Sequence, residues 1–280
     1  AALDGSTAGG QYDLTVDASG GTAANVDLND LGTTTPGTTD WGSIDIDGAV
    51  VSVGSIATTG GVNGNSGNID LNGATIALTG TTYEANTTGA VALTGAVDLE
   101  TAAGGTITIR TEGDNDTAGE EDITVTGTID DPGNNDDLVF EMITGSVGDL
   151  EVTGAIGATD PVKSLEVKGT IQEVTLGAIT TAGTAVGTVD LGSVGTPLAG
   201  TLSLNGDIST VDSSAPLSGV AGAVNVYAPN VRVDVGGGTL TVNTDDTVTD
   251  GVVTIDTGAG TLAGSTIWTD GLELVVGTTT

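Results

Sequence analysis

The chain has no cysteine and no histidine, and its 280 residues include only two Trp, three Tyr and one Phe. Without cysteine there are no disulfides and no thiolate nucleophile. Without histidine, the side chain that most often serves as general base near neutrality is missing. Aromatics at 2% leave a core of this size without its usual large anchors. Basic residues are almost absent as well. Arg110, Lys163, Lys168 and Arg232 face 38 acidic residues, for a formal net charge of −34. That balance excludes nucleic-acid binding, which needs a basic footprint to displace counterions, and it opposes docking on anionic lipid. It favours solubility, mutual repulsion, and metal cations or cationic surfaces as partners. No stretch approaches the roughly twenty apolar residues of a membrane helix, so no membrane insertion is expected. The first residues, Ala1-Ala2-Leu3-Asp4, carry no Met and no signal-peptide pattern, which reads as a processed chain or an excised part.

What is present is glycine, 47 residues of it, and short strands in which Val, Ile, Leu and Ala alternate with polar residues. Apolar residues make up 37% of the chain, enough to fold despite the charge. One phrase organises the sequence. Gly42 to Thr94 contains Ile44-Asp-Ile-Asp-Gly-Ala-Val, Ile69-Asp-Leu-Asn-Gly-Ala-Thr and Val91-Ala-Leu-Thr-Gly-Ala-Val. The phrase returns as Ile123-Thr-Val-Thr-Gly-Thr-Ile, Leu150-Glu-Val-Thr-Gly-Ala-Ile, Leu165-Glu-Val-Lys-Gly-Thr-Ile and Leu202-Ser-Leu-Asn-Gly-Asp-Ile. Self-similarity of this kind signals a repeat architecture, in which layers of small apolar side chains replace aromatic anchors. From Ile44 the first apolar residue of each strand recurs every 12 to 25 residues, a spacing compatible with one solenoid coil with loops bulging from one face. No window shows a sustained 3.6-residue period, so almost no helix is expected.

Two architectures compete for this pattern. In a right-handed parallel β-helix each glycine after a strand marks a corner. In an antiparallel β-sandwich or meander the same glycine closes a hairpin. Asp47-Gly48, Asn72-Gly73 and Asn205-Gly206 suit a type I′ hairpin turn. The equivalent pairs Thr94-Gly95, Thr126-Gly127, Thr153-Gly154 and Lys168-Gly169 do not, because a β-branched residue is a poor occupant of a positive-φ site. A type I turn with a glycine bulge keeps the antiparallel reading open. The expected fold is all-β, a parallel β-solenoid with irregular coils. Residues 1–41 are expected as an N-terminal β-rich segment or cap, and 42–280 as solenoid repeats with a looser subdivision near 216–229 between Pro216 and Pro229.

Gly67-Asn-Ile-Asp-Leu-Asn-Gly and Gly89-Ala-Val-Ala-Leu-Thr-Gly resemble the β-helical repeats of filamentous-haemagglutinin-like secreted adhesins. Leu165-Glu-Val-Lys-Gly-Thr-Ile resembles the related repeats of giant bacterial surface proteins, and the acidic Thr/Gly-rich composition is similar to that of S-layer proteins. The likeness spans roughly residues 42–210. It implies a right-handed β-helix at a cell surface, in adhesion or in a surface assembly. The chain departs from these families in having no Asn-Pro dipeptide and no Gly-Gly-x-Gly-x-Asp calcium repeat.

Two acidic loops supply the oxygen donors that Ca²⁺ takes from flexible turns. The first carries Asp114, Asp116, Glu120, Glu121 and Asp122; the second carries Asp130, Asp131, Asp136 and Asp137. Neither has EF-hand spacing, and Asp, Asn and Gly also serve turns for backbone reasons alone. Asp245, Asp246 and Asp250 form a weaker third group. The middle residue of each apolar-x-apolar strand faces outward, so Asp45 is expected over Asp70, and Glu151 over Glu166, as repelling or cation-bridged pairs. Threonine pairs such as Thr239-Leu-Thr241 do not recur in consecutive coils as an ice-binding ladder would. Asn86 and Asn115 begin glycosylation tripeptides. For catalysis, only carboxylates and lone arginines such as Arg110 are on offer, which leaves a Ca-dependent polysaccharide-acting enzyme as a minor alternative.

The reading is therefore a secreted, cell-surface structural protein and not an enzyme. It pairs with further copies of itself through end or edge strands into a filament or lattice, with Ca²⁺ as a structural ion and surface glycans or matrix as further partners. The alternative is a non-polymerising adhesin segment of a larger exoprotein.

Overall fold

The computed structural model describes residues 6–7, 10–11, 13–20, 24–32, 41–59, 67–86, 88–101, 104–112, 121–133, 136–143, 148–181, 187–210, 221–244, 251–264 and 271–275. These residues form a parallel β-solenoid of about seven turns, with no helix. Three strand faces follow one another around each coil. The first face runs through Leu14–Asp17, the leading halves of Ile44–Val53, Ile69–Leu78 and Val91–Leu99, then Ile123–Thr126, Leu150–Val152, Glu173–Leu176, Thr201–Leu204, Asn230–Val233 and Thr261–Gly264. The third face stacks eight strands from Ile56–Thr59 to Val253–Asp256. Between them the second face begins at Asn25–Leu28 and ends at Gly271–Val275. Its rungs pass through single bridges at Ile156, so Val51, Ile76, Val97, Ile129, Ile156, Ile179, Ile208 and Val242 lie in one file.

Alternation explains why the chain lies this way up. In Ile44-Asp-Ile the two isoleucines are buried and Asp45 is exposed, and Leu150-Glu-Val repeats the pattern. Each inward side chain meets its counterpart one coil on, in files such as Ile44, Ile69, Val91, Ile123, Leu150, Val174, Leu202 and Val231. Two of the scarce rings are spent inside. Tyr83 and Phe140 are fully buried, two rungs apart in the file Ile56, Tyr83, Ile109, Phe140, Val167. The Tyr83 hydroxyl donates to the Val53 carbonyl at 3.0 Å and accepts from the Gly80 amide, and burial pushes its pKa well up.

Glycine corners join the first face to the second. A Cβ on Gly95 would strike the carbonyl oxygen of Gly73 one coil below, and Gly127 stands likewise over Gly95, Gly154 over Gly127, and Gly177 over Gly154. Gly95 and Gly127 also hold φ of +140° and +143°, a region L-residues rarely adopt. The hairpin reading is thereby set aside. Among the described residues the sole antiparallel pair of strands is Ser6–Thr7 with Gly10–Gln11.

The spacing read from sequence needs correction. The coil runs from 22 residues, Ile69 to Val91, to 35, Val189 to Val224. The shorter recurrence arises because Ile107, Leu138 and Leu165 belong to the third face while Ile123 and Leu150 belong to the first. Leu14–Asp17 and Asn25–Leu28 pair in parallel with Ile44–Val53, so residues before 42 contribute the first rank of the stack. Val224–Tyr227, inside the proposed subdivision, pairs with Val189–Leu191 and Val253–Asp256 without a break.

Candidate functional site

Charge is organised by the coil register. All four basic residues are ion-paired: Arg110 with Glu84, Lys163 with Asp137 at 2.6 Å, Lys168 with Glu166 at 3.1 Å, and Arg232 with Asp234 at 2.9 Å. Glu84, Arg110, Glu141 and Lys168 occupy consecutive rungs of one outward file on the third face, so acid and base alternate along the axis. Glu84 is only 3% exposed, which makes its pairing with Arg110 matter more than the others.

Among the described residues, several acids and one asparagine have two further uses. Some cap backbone amides where the ladder lapses at a corner. The Asn68 side-chain oxygen accepts from the Ala90 amide, Asp122 from Asp149, and Asp149 from Glu173, each one coil further on, at 2.8 to 3.0 Å. Asp30 and Asp207 do the same for Ser55 and Thr241. Others simply stack. Asp45 lies over Asp70, as expected, and Asp98 over Asp130. Rungs about 4.8 Å apart bring such carboxylates into repulsion. Partial burial, then Asp45 and Asp47, push the Asp70 carboxyl up; partial burial, then Glu100, Asp130 and Asp160, do so for Asp98. Burial also raises Asp149, with smaller contributions from Asp122 and Glu173, against the lowering effect of the Glu173 amide.

The expected pair of Glu151 over Glu166 does not exist. Glu151 lies between Thr124 and Thr175 on the first face, whereas Glu166 pairs with Val139 and Asp190 on the third. The two residues look alike in sequence because both faces use the same apolar-acid-apolar phrase.

Of the candidate calcium ligands, Asp114, Asp116 and Glu120 lie outside the described residues, as do Asp245, Asp246 and Asp250. Glu121 is buried, and Asp122 caps the Asp149 amide at the corner leading into the first face. The second loop sits at another corner, between the second and third faces. Asp130 accepts from the Thr159 amide at 2.9 Å, and Asp137 is held by Lys163 and the Ser164 hydroxyl. Asp131 and Asp136 are brought together: the Asp136 amide donates to Asp131 Oδ2 at 2.5 Å. The fully buried Asp136 carboxylate accepts from the amides of Thr101 and Gly105, at 3.0 and 2.7 Å, and from the Thr101 hydroxyl. Among the described residues no group of three or more acids converges on a metal position. The two loops do not share a corner.

That second corner is where successive coils carry their insertions, and its clips were not foreseen. Thr210 donates through its hydroxyl to the Gly222 carbonyl at 2.7 Å, and Thr244 to Gly251 at 3.0 Å, each closing the base of a loop. Asp131 and Asp136 close the equivalent loop three and four coils earlier with a carboxylate. A recurring Thr before an insertion and Gly after it was visible in sequence, but only a known coil frame gives it meaning. A separate groove of about 520 Å³, lined by Val194, Pro197, Leu198, Tyr227, Pro229 and Asp256, opens at the corner between the third and first faces. Asn86 is buried, so its glycosylation tripeptide does not present an acceptor in the folded chain; Asn115 lies outside the described residues.

Compared with known proteins, the chain matches no protein-family model, no curated protein and no solved structure, and its function is to be read from its own geometry.

Proposed function

We propose that this chain is a secreted structural protein that assembles end to end with further copies into a surface filament or lattice. One observation carries the reading. Thr261–Gly264, Val253–Asp256 and Gly271–Val275 are each the outermost described strand of their sheet, and the apolar side chains there lose their cover. Leu262 is 48% exposed and Val253 and Ile255 are half-buried, whereas Val231, Val224 and Val226, one rung below them, are 2%, 1% and 1% exposed. A strand edge beside uncovered apolar groups is a template for another parallel strand. The first rank of a second copy, Leu14–Asp17 with Asn25–Leu28, offers the same in-and-out alternation.

Both ends are acidic, with Asp13, Asp17 and Asp27 at one and Asp256 and Glu273 at the other. Association therefore needs screening, and Ca²⁺ is the proposed ion, held at the acidic loops or between ends. Catalysis is not part of this reading: the sequence lacks His and Cys, and the carboxylates traced above are engaged in caps, pairs and stacks. In sedimentation, wild type is expected to grow with concentration and with added Ca²⁺ or salt, while L262K stays monomeric. Equal sedimentation of the two at every concentration would overturn the end-on contact.

The Val194–Tyr227 groove favours a second reading, an adhesin segment that binds a surface or matrix glycan without polymerising. Glycan binding lost in Tyr227→Ala, by a chain that stays monomeric, would select it.

A further inference from the structure

The chain has two Asp–Pro bonds, Asp131–Pro132 and Asp160–Pro161, and the solenoid lays one over the other. The Asp131 amide donates to the Asp160 carbonyl at 2.9 Å, and the Gly133 amide donates to the Asp131 carbonyl at 2.6 Å. Their surroundings differ. Asp131 is 3% exposed and its Oδ2 is held by the Asp136 amide at 2.5 Å, whereas Asp160 is exposed. Pro132 and Gly133, on the far side of the first bond, are open to water.

Three features favour scission at Asp131. An aspartyl carboxyl is separated from its own carbonyl carbon by Cβ and Cα, so its attack closes a five-membered ring, and well-oriented intramolecular attack has effective molarities of about 10⁵ M or more. Proline leaves as a secondary amine whose ring fixes φ and whose nitrogen carries no hydrogen to be held in the ladder. A donor already fixed on the carbonyl oxygen, here the Gly133 amide, stabilises the charge that develops there by about 10²-fold.

We propose that Asp131–Pro132 is a self-cleavage site, in which the buried Asp131 carboxyl nicks the chain at the loop-bearing corner. An Asp131 carboxyl oxygen adds to the Asp131 carbonyl carbon, and the carbon–nitrogen bond to Pro132 breaks. The departing nitrogen keeps the electron pair and takes the proton released by the carboxyl. The products are a cyclic anhydride at Asp131 and a free amine at Pro132. One water then opens the anhydride to an ordinary C-terminal aspartate. Asp98, Glu100, Asp130, Asp136 and Asp160 are the acids around this corner. Lys163, whose amide donates to the Asp136 carbonyl at this corner, is engaged by Asp137. Mild acid supplies the carboxyl proton that the departing nitrogen takes. Because Ile129–Asp130 and Asp137–Met142 stay paired to neighbouring coils, the nicked solenoid holds together.

The test holds the folded protein at about pH 4, near the ordinary aspartyl pKa, and follows it by denaturing gel and intact mass. Expected are a fragment ending at Asp131 and one beginning Pro132-Gly133, co-eluting under native conditions. In the same molecules this bond is cut at least about 10-fold faster than Asp160–Pro161, and at least about 10-fold faster than in urea-unfolded chain. D131N abolishes the cut, while D160N leaves it. The ratio between the two bonds in wild type needs no variant to fold. Equal rates at both bonds, a faster rate in urea, or no cut at all would each overturn the assignment.

Discussion

Glu84 and Arg110 show how much a single residue decides in a chain with four bases. The Glu84 side chain is almost wholly enclosed, and Arg110 is the base paired with it. Breaking an enclosed pair leaves an uncompensated charge, which costs far more than an exposed pair contributes. Arg110→Met is therefore expected to lower unfolding stability by about 3 kcal/mol. Arg232→Met, whose pair with Asp234 is open to solvent, should cost under about 1 kcal/mol. Urea titration of the two variants against wild type checks both figures. The carboxylate caps act at the same scale: Asp122 and Asp149 were visible in the sequence as acids, yet nothing local marked them as acceptors for the next coil's amide. Their partners lie 27 and 24 residues away.

At the scale of the element, the strand–glycine–strand phrase was legible because its in-and-out alternation and its corner glycine are both local. Threonine at the pre-glycine position pointed away from hairpins, and the stacked Gly73, Gly95, Gly127 and Gly154 give the reason: backbone passes over backbone at that corner. Gly95→Ala places a methyl group on the Gly73 carbonyl at a φ of +140°, and should destabilise the fold by about 3 kcal/mol or more, or prevent folding. Gly236→Asn, at φ +64° with open space around it, should change stability by less than about 1 kcal/mol. Thermal melts of both variants separate the steric argument from a general dislike of substitution. What was not legible was which face each phrase belonged to. The first and third faces use the same apolar-acid-apolar wording, so sequence alone sets Glu151 over Glu166 although they lie on different faces, and it gives steps of 12 to 25 residues where the coils run 22 to 35. Insertions of irregular length hide the true period.

For the whole molecule, a charge of −34 on a coil spaced at about 4.8 Å makes acid a stabiliser over part of the range. Asp70, Asp98 and Asp149 all have carboxyls raised above the ordinary 3.8 by burial and by acidic neighbours. Raised values mean that the folded chain binds protons more tightly than the unfolded one. At neutral pH these groups are ionised and their repulsion is fully present; it is relieved as pH falls through their folded values, with no further gain below 3.8. The urea midpoint is thus expected to rise as pH drops from 7 toward 4, and added salt at pH 7 should raise it too. A midpoint that falls steadily over that interval would contradict the charge assignment. The same relief applies between copies, since both end ranks are acidic.

The claim that the outermost described ranks of the solenoid join those of another copy is the one on which the functional reading rests. The nine steps from Leu14 to Leu262, at about 4.8 Å each, give a stack about 43 Å long. Electron microscopy and fibre diffraction of the purified chain, at rising concentration with and without Ca²⁺, test the claim most directly. The expected result is thin filaments with strands across the axis and a strong reflection near 4.8 Å along it. A strictly monodisperse monomer of about 43 Å under every condition, with no filament at any concentration, would contradict it.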